Sequence, residues 1–145
     1  MQYVQSNGQV LESDYVYTAK DGTCRASSYK SVAGVSKVNQ VATKSQNALL
    51  AAIAVGPVSV TVEADRAVFQ RYTSGILNSK LCGTNLDHAI TAVGYGVQNG
   101  VTYYIVRNSW GASWGDKGYI NIQATGENKP GICGIQIDSV WPNTL

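Results

Sequence analysis

The sequence predicts an α+β fold in which a small, barrel-like antiparallel sheet carries short flanking helices. Three observations predict it. Fifteen Gly, nine Tyr and many Val and Ile favour strands and tight turns over a helical bundle. Residues 88–97 and 101–107 read as two strands joined by Gln98-Asn99-Gly100, a hairpin signal. One short helix with an apolar stripe stands just before an alternating strand, which places a helix outside an antiparallel sheet.

Residues 1–8 read as the end of a helix, because Val4 follows Met1 at helical spacing and Asn7-Gly8 supplies a stop. A helix that starts at the first residue without an N-cap predicts that the chain begins mid-element. Residues 9–36 are loop-rich, with Asp21-Gly22 as a turn signal. Ser45 can cap a helix running through Ala54, striped by Ala48, Leu49, Ala52 and Ile53 and stopped by Gly56-Pro57. Val58, Val60 and Val62 alternate with Ser59 and Thr61 as in a strand, and Ala67 to Tyr72 allow one or two helical turns. Gly118-Tyr119-Ile120-Asn121-Ile122 alternates again. No internal repeat or low-complexity segment interrupts this pattern.

A length of 145 residues suits one folded domain, and 44% hydrophobic against 14% charged residues excludes a disordered or coiled-coil chain. A net charge of +2 without any Lys or Arg run argues against nucleic acid. No apolar run approaches the ~20 residues that span a bilayer. The N-terminus lacks the basic start and apolar core of a signal peptide, so any signal of a parent protein is expected upstream. The three cysteines, Cys24, Cys82 and Cys133, form no CxxC pair and share the chain with a single His. A zinc site is therefore not expected, and neither another metal nor a cofactor is implied. In an oxidising compartment two cysteines would pair and one would remain, either as a free thiol or with its partner lost by truncation.

That single histidine, His88, opens a strand, and Asn108-Ser109-Trp110-Gly111 follows the next one. A hairpin between them can bring His88 beside Asn108. Cysteine-protease chemistry uses such a pair. The imidazole takes the thiol proton and later protonates the leaving amine, while the Asn carbonyl fixes the other ring nitrogen. Trp110 would exclude water from that bond. By composition and spacing alone, an ordinary strand His and a Trp-Gly turn explain these residues better than catalysis does.

Several motifs occurring together and in order alter that weighting. They are Gly56-Pro57-Val58-Ser59-Val60, Cys82 with His88, Ala92-Val93-Gly94-Tyr95-Gly96, Asn108-Ser109-Trp110-Gly111 with Trp114-Gly115 and Gly118-Tyr119, and Cys133-Gly134-Ile135. Upstream stand Tyr3-Val4-Gln5-Ser6-Asn7-Gly8, and then Tyr15, Tyr17, Asp21-Gly22 and Cys24. Together they resemble the C-terminal part of the papain and cathepsin L family of cysteine proteases, essentially end to end. The resemblance implies a papain-like fold, with a cleft between a helical left domain and a β-barrel right domain. Residues 1–35 would be the remnant of the left domain, 36–137 the right domain and 138–145 a C-terminal strap. Val16 departs from the Pro that is frequent at its position, and no N-glycosylation sequon is present.

By the same resemblance His88 and Asn108 are catalytic, with Trp110 and Trp114 in support. Thr61, Leu86, Asp87, Ala89 and Asp138 contribute to substrate binding, and Asp138 falls at the floor of the pocket for the residue two before the scissile bond. Cys82 pairs with Cys133, and Cys24 is left unpaired by truncation. The nucleophilic Cys of such enzymes lies ~130–150 residues before the His, which is ~40–60 residues before Met1. Its signature is absent, as is the upstream Gln that donates to the oxyanion. The chain is therefore expected to belong to a lysosomal, vacuolar or secreted endopeptidase and to be inactive alone. Its expected partners are a peptide or protein substrate and an N-terminal segment or another chain covering the left-domain face, with no nucleic acid or membrane. The alternative is a non-catalytic binding or structural module, a pseudoprotease.

Overall fold

The computed structural model describes residues 1–144. It divides into two compact units, Met1–Asn39 with the C-terminal residues from Pro142 on, and Gln40–Trp141. These limits differ from the expected boundaries after residues 35 and 137. Residues 138–141 stay with the larger unit because its backbone holds them: Val41 N–H donates to Ser139 O (2.9 Å) and Thr61 N–H to Asp138 O (3.2 Å).

The smaller unit opens with α1 (Gln2–Asn7), stopped by Gly8 at φ 73. A side chain there would run into Ser31, whose Oγ lies 1.9 Å from the place of a Cβ, so glycine is required for space as well as for backbone geometry. Gln9 bridges Ala33, the Tyr15 and Tyr29 rings stack at 5.0 Å, and Arg25 lies over Tyr15. Strand β1 (Val35–Gln40) leads out of this unit.

The larger unit begins with α2 (Gln46–Val55), which follows its sequence signals. The Ser45 side chain accepts from Ala48 N–H (3.1 Å), and the helix buries Leu49, Ala52 and Ile53. Sequence alone did not reveal a second cap, the Glu127 carboxylate accepting from Asn47 N–H (2.7 Å). That bond and others from Ser45 and Gln46 hold the Glu127 carboxyl below its ordinary range, and the helix N-terminus favours its charge. After Gly56-Pro57 comes β2 (Val58–Val62), with all three valines fully buried.

Next follow α3 (Ala67–Gln70), the two-residue β3 (Ile76–Leu77), β4 (His88–Gln98), β5 (Val101–Arg107), β6 (Tyr119–Gln123) and β7 (Ser139–Thr144). Within the larger unit the strand order is β7-β2-β4-β5-β6-β3. All these pairings are antiparallel except β3 with β6. That edge strand is reached from α3 rather than through a hairpin, which frees it from the antiparallel rule. The β4–β5 turn places Asn99 (φ 51) and Gly100 (φ 77) between paired Gln98 and Val101, the two-residue loop an Asn-Gly sequence favours.

Behind the sheet Leu49, Val60, Phe69, Tyr104, Val106 and Ile120 form one core. Burial pushes the Tyr104 phenol up, and its hydroxyl donates to Gln136 Oε1 (3.1 Å). Gln136 Nε2 in turn donates to Gly126 O and Lys129 O, so this buried amide is satisfied on both sides. The Cys82–Cys133 disulfide links the turns Lys80–Cys82 and Ile132–Gly134, its Cα atoms 4.8 Å apart.

Candidate active site

His88 is the first residue of β4, opposite Val62 of β2, and Asn108 immediately follows the last residue of β5. Because the hairpin turns at its far end, its two open ends return to the same place. There His88 Nε2 and Asn108 Oδ1 are 2.9 Å apart. The same oxygen accepts from Ser109 N–H at 2.7 Å. A backbone N–H can only donate, so the atom facing it must be the amide oxygen. His88 Nε2 must then be the donor, and in a neutral ring Nδ1 keeps the free lone pair. One backbone amide thus sets the amide orientation, the amide sets the tautomer, and the tautomer presents a base at Nδ1.

The Asn108 backbone is pinned by its own N–H to Gly118 O (2.9 Å), and its side chain is buried. Its Nδ2 has no partner among the described residues. An unpaired buried amine costs about 1–3 kcal/mol, so the two bonds on Oδ1 hold this orientation against a local penalty.

Aromatic rings enclose the pair. Trp110 stacks on the His88 ring at 5.0 Å between centroids, with 39% of its own surface exposed. Phe69, the sole phenylalanine, is fully buried and meets Trp110 edge-on at 5.6 Å and His88 at 6.5 Å. Trp114 stacks on Phe69 at 5.3 Å, and its indole N–H donates to Gln70 O (2.9 Å), tying the Trp-Gly turn to α3. Gly115 belongs to that turn because a Cβ there would lie 2.5 Å from Tyr119 O.

A polar braid holds the loop that delivers His88. Asp87 N–H donates to Val62 O (3.0 Å), and Asp87 Oδ1 accepts from Ala64 N–H (2.7 Å). Asp87, read as a substrate-binding residue, thus has one carboxylate oxygen held at the end of β2. Glu63 is buried and accepts from Asn85 N–H (2.5 Å) and Arg66 Nε (2.6 Å). The Asn85 amide first, and then Arg66, hold its carboxyl below the ordinary value of 4.5. Gly83 makes room for it, since a Cβ there would fall 2.2 Å from Glu63 Oε2.

The other predicted residues fall in two groups. Thr61 pairs with Ala89 across β2 and β4, and its hydroxyl donates to Asp138 O (2.9 Å), so these three meet on one patch. The Asp138 side chain is exposed and accepts from Gln40 Nε2 (3.0 Å). Leu86 is half-buried and packs over Gly134, where a Cβ would lie 2.7 Å from its Cδ2. Cys82 and Cys133 are bonded to each other, and Cys24 is an exposed free thiol in the smaller unit. Among the described residues no three His, Cys, Asp or Glu side chains gather as a metal-ligand set. Sequence reasoning gave no role of their own to Phe69, Ser109, Glu63 and Gly83. Only Glu63 carried a signal, an acid placed three residues before Arg66 at the end of an apolar strand.

Residues 1–143 match the family described as "Papain family cysteine protease". The chain is 44% identical over 143 residues to cysteine proteinase COT44 of Brassica napus, covering 97% of this chain and 43% of that protein. It is 47% identical over 146 residues to caricain of Carica papaya, covering 98% of this chain and 41% of that protein. It therefore spans less than half the length of these relatives. Bromelain from Ananas comosus, solved in complex with the E64 inhibitor, superposes with a TM-score of 0.88 at 40% identity, over 98% of this chain and 66% of that one. With fold, motifs and near-full coverage in agreement, the chain belongs to the papain family of cysteine proteases.

Proposed function

We propose that this chain supplies the imidazole–carboxamide half of a Cys-His-Asn site for peptide-bond hydrolysis. The observation that carries the reading is the shared Asn108 oxygen, which accepts from Ser109 N–H and leaves His88 Nε2 as donor. Nδ1 of His88 then takes the proton of a cysteine thiol, giving a thiolate–imidazolium pair. The thiolate attacks the scissile carbonyl carbon, and the imidazolium returns its proton to the departing amine. Water, deprotonated by the same nitrogen, then releases the acyl group from the thioester. Trp110 covers the ring during both transfers and keeps the donor bond dry.

None of the chain's own cysteines suits the nucleophile's part. Cys82 and Cys133 are joined, and Cys24 opens no α-helix whose N-terminus would stabilise a thiolate. Turnover therefore requires a thiol from residues outside these 145. The whole enzyme would work in a lysosomal, vacuolar or secreted compartment, where a structural disulfide persists.

Thr61, Leu86, Ala89 and Asp138 form one wall of the pocket for the residue two before the cut. Asp138 meets a neutral Gln amide and joins no ion pair among the described residues, so its charge stays available to an Arg or Lys of the substrate.

The test is hydrolysis of fluorogenic peptides carrying Arg or an apolar residue at that position, in mildly acidic buffer with a gentle reductant. The chain alone is expected to be silent. Adding a polypeptide that carries a papain-family nucleophile segment is expected to give turnover that His88→Ala lowers about 10²–10⁴-fold. Turnover by the chain alone, lost in His88→Ala, would sink the reading.

A further inference from the structure

A cavity of about 530 Å³ in the larger unit shares no lining residue with the His88–Asn108 pair. We propose that it is a binding site for a small organic anion, an apolar body bearing one carboxylate or phosphate. The volume falls in the range of about 300–1,000 Å³ typical of small-molecule sites. Its inner wall includes the buried Ile132 and Cys133, and Cys133 is bonded to Cys82. Such a surface suits an apolar body.

The rim carries one sign of charge. Lys80 enters from the 3₁₀-helical turn Lys80–Cys82, and Lys129 from the loop before Pro130. Both are exposed, and neither joins an ion pair among the described residues. Among the described residues no Asp or Glu lines the cavity. Two acids beside its lining residues are committed elsewhere, Glu127 to the N-terminus of α2 and Glu63, behind Gly83, to Asn85 N–H and Arg66. Two unpaired ammonium groups above an apolar wall favour an anion by charge-assisted hydrogen bonding.

The walls are held before any ligand arrives. Gln136 ties Gly126 O and Lys129 O from one side, and the disulfide ties the Lys80–Cys82 turn to the Ile132–Gly134 turn from the other. A preformed wall saves the ordering cost that usually weakens small-ligand binding.

Titration of the isotope-labelled chain with phenyl phosphate, benzoate and neutral benzyl alcohol, followed by amide NMR shifts, tests this site. Saturating shifts at 79–84 and 129–133 are expected with the two anions and not with the alcohol. Stronger binding of phenyl phosphate would assign a phosphate ester, and stronger binding of benzoate a carboxylate. Lys80→Ala with Lys129→Ala, two exposed changes that leave the core intact, should weaken the anion about tenfold or more. No saturable shifts there, equal shifts with benzyl alcohol, or undiminished binding by the double variant would overturn the proposal.

Discussion

The two compact units differ in what holds them together. In the larger one, twenty-two apolar residues are buried in a single cluster. In residues 1–39 none is buried, and Leu11, Val16, Tyr17 and Val32 stand at least half exposed. The smaller unit is kept in shape by a few turns, a ring stack and backbone bonds such as Gln9 N–H to Ala33 O (2.8 Å). Bonds of this kind contribute little net stability when water competes for them, whereas burial removes apolar surface from water outright. The site follows this division. His88, Asn108, Trp110 and Phe69 all belong to the unit with the core.

Three measurements can break or sharpen that contrast. The three tryptophans, Trp110, Trp114 and Trp141, all lie in the larger unit, so their fluorescence reports its unfolding alone. The largest effect is expected from Cys82→Ser combined with Cys133→Ser. Opening a cross-link across a sequence separation of 51 residues should cost about 4 kcal/mol by chain entropy, read as a lower denaturant midpoint. Next comes a matched pair, read by amide hydrogen exchange within each unit. Ile120→Ala, at a fully buried position, should cost about 3 kcal/mol, while Leu11→Ala, half exposed, should stay within about 0.5 kcal/mol. Equal costs would mean that the smaller unit has a core of its own.

The smallest effect concerns acid. Glu63 has a folded-state pKa below its ordinary 4.5, so its contribution is present above that value and is lost as the pH falls through the depressed one. Glu63→Gln should lower the midpoint at neutral pH and flatten the acid limb of the stability profile. An unchanged acid limb would show that Glu63 does not govern it.

The parts legible in the sequence were those decided locally. Ser45 and Gly56-Pro57 bounded α2, the alternating valines marked β2, and Asn99-Gly100 announced the hairpin that brings His88 to Asn108. Strands β1, β3 and β7 were not legible, because each is defined by a distant partner rather than by its own pattern. The same holds within the site. His88, Asn108 and Trp110 were visible as motif residues, but Phe69 looked like any apolar residue of a helical turn. Its contact with three rings arises only when α3 meets the Trp-Gly turn. Glu127 likewise gave no sign of capping a helix 80 residues earlier in the chain.

The β4–β5 hairpin has a practical corollary for protein engineering. At about 3.3 Å per residue its Asn99-Gly100 tip lies on the order of 30 Å from the histidine end of β4. Spacing at the open end depends on strand register, which the cross-strand pairs from Thr91–Arg107 to Gln98–Val101 maintain without help from what is threaded through the tip. A reporter peptide or small tag grafted between Asn99 and Gly100 would therefore ride at the remote end of a lever whose other end stays clamped. The same graft inside either strand would break the register, and one of odd length would turn every residue beyond it to the opposite face.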